Sequence, residues 1–347
     1  TDYRFKELGR FDYGKDECFA FHEAVKQHVL PLVKIIYQKK KEKLGLDTLR
    51  PWDVDAEREG VKPLSPFTTG KELADKTIEC FTKLRPFFGD CLKKMEDIKH
   101  LDLESRKGKA PGGYNCPLAE SGAPFIFMNA AGQMHDVTTM VHEGGHAVHS
   151  FLAHNLELNG FKEYPMEIAE VASMAMELMS MDQWEIFFPD AGERQRAKEH
   201  QLERVITIFP WIAIIDKFQH WVYEHPSHSH GQRSAAWQRI LAEFQDEVVD
   251  YSGLEPYRQN NWQRQLHLFE VPFYYIEYGI AQLGAIGMWM QYKKDKEAAL
   301  DNYCKALSLG GTKTLPDLFA TAGLEFDFSP AKIKVLMDFV EGEMKNI

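Results

Sequence analysis

The chain has 347 residues, 44% of them hydrophobic, with a formal net charge of −11, and is long enough for a large buried core. The negative balance excludes nucleic acid as the main partner, because phosphate binding needs clustered Lys and Arg. No apolar run approaches the roughly eighteen residues of a membrane span.

From the N-terminus, "TDYRFKELGRFDYGKD" lacks the apolar region of a signal peptide. Residues 18–43 then space apolar side chains three and four apart, which predicts a helix, and "LGLDTLRPWD" an extended segment after it. Residues 70–98 predict a second helix with a joint at Pro86, which cannot continue the backbone hydrogen bonding. Between 100 and 135, "HLDLES", "GKAPGGYNCP" and "SGAPFIFMNAAGQ" read as short strands separated by Gly and Pro. Beyond them the pattern is helical over 136–155, 165–188, 191–224, 232–250, 272–292, 294–308 and 329–345, with a kink expected at Pro210. "HPSHSHG" at 225–231 reads as a polar turn. Without repeats or linkers, the expected organisation is one mainly α domain over 1–347 with a small β-sheet. The five cysteines, Cys18, Cys80, Cys91, Cys116 and Cys304, form no C-x-x-C pair, which fits free thiols in a reducing cytoplasm.

Chemistry concentrates in "MHDVTTMVHEGGHAVHSF". On a helix, His142 and His146 share a face and can direct imidazole nitrogens at one zinc ion, with Glu143 beside them. Asp136 is the expected N-cap of that helix, and His149, about 60° off the ligand face, is read as structural. A catalytic zinc needs a third protein ligand. "EYPMEIAEVASMAMELMS" predicts a helix that carries Glu167, Glu170 and Glu177 on one side, amid enough apolar residues that these carboxylates need partners.

The strings "HEGGHAVHS" and "AEVASMAME" together resemble the oligoendopeptidase F and thimet oligopeptidase family of zinc metallopeptidases. "LGLDTLRPWD", "GKAPGGYN", "PFIFMNAAG", "HLFEVPFYYIEYGIAQ" and "LSLGGTKTLPDLFATAGLEFDFS" continue the resemblance in order along the chain. It implies a multi-helix, zincin-like catalytic domain holding zinc by His142, His146 and Glu170, with Glu167 and Glu177 in supporting roles. By position it also implies that His267, Tyr274 and Tyr278 stabilise the tetrahedral intermediate, with Tyr275 near the substrate. "PFIFMNAAG" is expected as an edge strand lining the cleft, where a peptide could add to the sheet, with Gly112, Gly113, Tyr114 and Phe127 as substrate contacts. Two departures stand out: Gly144, where the family more often carries Phe or Met, and the family's further N-terminal helical region, which has no counterpart here.

The expected activity is hydrolysis of short peptides by zinc-bound water, with Glu143 as general base. A zinc carboxypeptidase of related fold and a non-catalytic zinc- or peptide-binding fragment are the alternatives. Both glycines of "HEGGH" lack side chains where another backbone could approach, at roughly 1 kcal/mol of helix propensity each.

Overall fold

The computed structural model describes residues 2–347, with side chains from Arg4 onward. It is mainly α with a small β-sheet. The first elements are α1 (Asp2–Glu7), α2 (Lys15–Ala24), α3 (Leu30–Leu44), α4 (Gly70–Leu84), α5 (Pro86–Asp97), β1 (Leu101–Glu104), β2 (Tyr114–Cys116) and β3 (Phe125–Ala130). There follow α6 (Met134–Ala153), α7 (Met166–Met179), α8 (Ala191–Glu224), α9 (His230–Glu243), α10 (Glu255–Arg258), α11 (His267–Glu270), α12 (Tyr275–Lys294), α13 (Lys296–Ser308), α14 (Leu315–Thr321) and α15 (Pro330–Asn346). No helix among the described residues is long and apolar enough to cross a membrane.

The chain divides into two compact units. Unit one comprises Thr1–Lys62, Leu202–Ile280 and Asp327–Asn346. Its first helical run is interrupted by a π-helical turn, Val25–Val29, between α2 and α3, and α3 ends on Gly45 in the left-handed conformation, φ 68°. Phe21, Phe209, Phe218, Trp237 and Phe273 are among its fully buried side chains. Arg10 and Glu277 form a buried ion pair.

Unit two comprises Pro63–Gln201 and Ala281–Phe326, with Ile347. The joint expected at Pro86 is present: α4 stops at Leu84, Arg85 is extended at φ −160°, and Pro86 starts α5. At the N-terminus of α4, the Thr69 side chain accepts a hydrogen bond from Glu72 N at 3.1 Å, a regular cap.

The sheet order is β1-β3-β2, which corrects the expected place of "PFIFMNAAG". That segment forms β3, the central strand, parallel to β1 and antiparallel to β2. The edges are supplied instead by β1 and β2, and β2 is only three residues long and too short to show periodicity. A second correction concerns Asp136. The helix α6 begins at Met134, and Asp136 stands in its first turn. Its Oδ2 accepts the backbone N–H groups of Ala131 and Gln133, each at 2.8 Å, so it caps from inside the helix rather than at its boundary.

Candidate metal centre

The central pair of helices in unit two is α6 with α7, and Gly145 sets how closely they approach. A Cβ on Gly145 would stand 2.6 Å from Ser173 Cα and 2.7 Å from Ala172 O, both backbone atoms of α7. Only glycine allows this contact. The approach brings Glu170 over the two histidines: His142 Nε2 lies 3.3 Å and His146 Nε2 3.7 Å from Glu170 Oε2. Ligand bonds of about 2.05 Å give a tetrahedral edge of about 3.3 Å. The three donors, all within 4.8 Å of one another, therefore fit a zinc ion by both spacing and chemical type.

Around them the electrostatics favour the ligating forms of His146 and Glu170, while His142 has to give up a proton to ligate. Burial pushes the pKa of His146 down to about 4. Burial alone would raise Glu170, but His146 and His142 hold it down to about 2. For His142, burial opposes a proton, yet Glu170 and Glu177 outweigh it and raise its pKa. Glu143, buried on the same helix, is pushed up to about 7, chiefly by desolvation. A carboxylate with that proton affinity is matched to proton transfer near neutral pH.

Glu177 supports His142. Its Oε1 lies 2.6 Å from His142 Nδ1, and its Oε2 accepts a hydrogen bond from Gln201 Nε2 at 2.7 Å. With Nδ1 engaged this way, Nε2 faces Glu170, the carboxylate–imidazole arrangement that orients metal ligands. Gln201 gave no signal in the sequence, since it acts only through Glu177. Replacing Glu177 by Gln is expected to weaken metal affinity by about 10- to 100-fold, read by competition with a graded chelator. Unchanged affinity would remove Glu177 from this role.

The candidate substrate contacts of this unit lie together. Gly112 adopts φ 100°, and Asn129 Nδ2 donates to the carbonyls of Ala110 and Gly112 at 2.8 and 2.9 Å, fixing the glycine loop. A Cβ on Gly113 would meet Thr139 at 3.3 Å and Phe127 O at 3.4 Å. Tyr114 pairs across the sheet with Phe127, and their rings stack at 5.0 Å. The next residue, Asn115, donates from Nδ2 to Glu143 O at 3.2 Å, tying β2 to α6. Glu167 is buried near the start of α7, outside the donor set. His149 is buried with its ring stacked on Tyr164 at 3.5 Å, and desolvation lowers its pKa well below the ordinary value. The residues of "HPSHSHG" join α8 to α9 and include no metal-type cluster among the described residues.

His267, Tyr274, Tyr275 and Tyr278 belong to unit one, where they form a cluster of their own. His267 Nδ1 lies 2.7 Å from Gln265 Nε2, and His267 Nε2 lies 3.5 Å from the Tyr278 hydroxyl. Gln265 Oε1 accepts from Tyr275 OH at 3.1 Å and from Trp211 Nε1 at 3.0 Å. Tyr274 precedes α12 rather than lying within it. The positive φ of 64° at Phe273 turns the chain just before that helix, and the Tyr274 and Tyr278 rings still meet at 5.1 Å.

Known proteins resemble this chain along most of its length. The profile of Peptidase family M3 matches residues 1–336. Oligopeptidase PepF of Bacillus subtilis (strain 168) is 24% identical over 326 residues, covering 91% of this chain and 46% of the relative. Oligoendopeptidase F, chromosomal, of Lactococcus lactis subsp. cremoris is 23% identical over 307 residues, covering 88% of this chain and 50% of the relative. A solved structure described as "PZ peptidase A with inhibitor 2" is similar with a TM-score of 0.92 and 27% identity, covering 99% of this chain and 60% of that one. The chain thus spans about half the length of the curated relatives it matches. With the family profile covering residues 1–336 of 347, this chain belongs to peptidase family M3.

Proposed function

We propose that this chain is a zinc-dependent metalloendopeptidase acting on short peptides, with Glu143 as its general base. The observation that carries the reading is the donor set of His142 Nε2, His146 Nε2 and Glu170 Oε2, gathered within 4.8 Å beside a buried carboxylate on the same helix. Membership of peptidase family M3 supports peptides as the substrate class. The curated relatives named oligopeptidase and oligoendopeptidase support short ones.

A zinc ion held by a His₂Glu set supplies Lewis acidity, polarising a carbonyl and acidifying water. The remaining work falls to the chain. Glu143 accepts the proton of the attacking water on its carboxylate and returns it to the leaving amine, a transfer worth roughly 10²–10⁴ in rate. Glu177 keeps His142 in one orientation while Gln201 holds Glu177. An extended peptide adds along the edge strand β2 through main-chain hydrogen bonds, with Gly113 leaving room and Tyr114 and Phe127 offering an aromatic face. The roles of His267, Tyr274 and Tyr278 as donors to the developing oxyanion, and of Tyr275 toward the substrate, rest on the family resemblance. One such donor contributes roughly 10²–10³ in rate. Five free cysteines support a reducing, cytoplasmic setting.

The test combines metal analysis of the purified chain with hydrolysis of quenched peptides of graded length, with and without chelator. Internal cuts that stop on chelation and return with zinc are expected. Stepwise loss of C-terminal residues would replace the endopeptidase reading by a carboxypeptidase. Stoichiometric zinc without turnover would make the chain a binding fragment.

A further inference from the structure

A second set of metal-type side chains lies in unit one, far along the sequence from the HEGGH helix. On α2, Cys18 and His22 are one turn apart and share a face; on α8, Asp216 and His220 do the same. The two faces meet. Cys18 Sγ, a carboxylate oxygen of Asp216 and a ring nitrogen of His220 all lie within 4.8 Å of one another. His22 Nε2 is 2.9 Å and His220 Nε2 3.4 Å from Asp216 Oδ2. We propose that Cys18, His22, Asp216 and His220 form a structural metal site that takes one zinc-class divalent cation and clamps α2 to α8.

Three observations support it. First, the cluster is inaccessible: Cys18 and Asp216 are 0% exposed and both histidines 1%. Aromatic rings enclose it, with Phe19 5.4 Å from His22 and 5.1 Å from His220, and Phe273 5.0 Å from His220. Second, its polar capacity is not used up. Asp216 Oδ1, His22 Nδ1 and His220 Nδ1 are buried and make no hydrogen bond. Burying polar atoms without partners is unfavourable, and metal coordination satisfies a carboxylate that one imidazole only half satisfies.

Third, the charges close. A thiolate and a carboxylate carry one negative charge each, and imidazoles ligate in their neutral form, so the four donors offset a divalent cation and leave a neutral core. A binding cation displaces the Cys18 thiol proton to solvent as the sulfur–metal bond forms. Thiolate, imidazole and carboxylate in four-coordinate geometry suit zinc, whereas magnesium and calcium prefer oxygen alone. With four protein ligands no position remains for substrate, which makes the site closed and structural. Tetrahedral edges of about 3.3–3.8 Å require separations of up to 4.8 Å among Cys18, Asp216 and His220 to contract by about 1 Å; His22 lies outside that set, 2.9 Å from Asp216 Oδ2, and has to close on the cation from there.

The test uses the full chain in its zinc-loaded form. Two zinc ions per chain are expected, and the zinc X-ray absorption spectrum should contain a sulfur shell at about 2.3 Å, which the His142, His146 and Glu170 set cannot supply. Cys18→Ser should remove the sulfur shell and lower the zinc content by one. Should that variant fail to fold, Asp216→Asn keeps the question open to decision, because it should lower zinc content while leaving the thiol in place. A sulfur shell with only one zinc per chain would keep this site and remove the catalytic one. A zinc-loaded chain with no sulfur shell, or a shell that survives Cys18→Ser, overturns the clamp.

Discussion

Glu143→Gln is expected to lower peptide hydrolysis by at least about 10²-fold, the lower end of what a positioned general base contributes, while zinc content stays the same. The amide is the shape of the carboxyl but cannot accept a proton, so the loss should fall on turnover. Folding should not suffer. The carboxylate is buried, and desolvation pushes it up to about 7; an uncharged isostere therefore removes a desolvation penalty instead of creating one. The contact from Asn115 goes to the Glu143 main-chain oxygen and survives the change. The decisive measurements are turnover of a quenched peptide, zinc per chain and melting temperature on the same preparation. A variant that hydrolyses at the wild-type rate would sink the role of Glu143, and one that loses its zinc would show that Glu143 is needed to build the site.

Gly145→Ala should be the most damaging single methyl group in this region. Its Cβ would run into the backbone of Ala172 and Ser173 at 2.7 and 2.6 Å, and backbone cannot swing aside. Overpacking of this kind typically costs about 1–3 kcal/mol, or roughly 2–4 °C of melting temperature per kcal/mol in a unit of this size. If α7 retreats instead, it takes Glu170 with it, so zinc affinity should fall together with stability. Gly144→Ala is the control. There the Cβ would meet the far edge of the Phe81 ring at 2.8 and 2.9 Å, a side chain that can tilt, and alanine regains about 1 kcal/mol of helix propensity. The expected order is a large loss at 145 and a small one at 144, with metal binding impaired only at 145. The reverse order would mean that the backbone contact does not set the α6–α7 spacing.

Much of this was legible because the signals are local. Periodicity gave the long helices, including Ala191–Glu224 over its full length, and Pro86 marked the α4–α5 joint because a missing N–H acts wherever it occurs. The spacing of His142 and His146 presupposes only that α6 is a helix. What escaped depends on partners distant in sequence. Strand β3 is central only because the three residues of β2 pair with it, and so short a segment has no alternation to read. Glu177 was one carboxylate among several until Gln201 and His142 were seen on either side of it. Cys18 and His22 form an ordinary-looking pair on α2, and Asp216 and His220 another on α8; neither has a motif, and only their meeting suggests chemistry.

The Phe81 ring beside Gly144 carries a historical consequence. The resemblance implies a bulkier residue at position 144 in related chains, and here the volume such a side chain would fill is occupied from α4 by a fully buried ring. The two positions draw on one shared space, so neither can enlarge while the other is large. A lineage passing between the two arrangements must shrink one residue before growing the other, crossing an intermediate with an empty cavity that costs several kcal/mol, as large-to-small core changes do (about 3–5 kcal/mol for Phe→Ala). Residue sizes at 81 and 144 should therefore vary inversely among aligned relatives, and chains with two large or two small residues should be scarce.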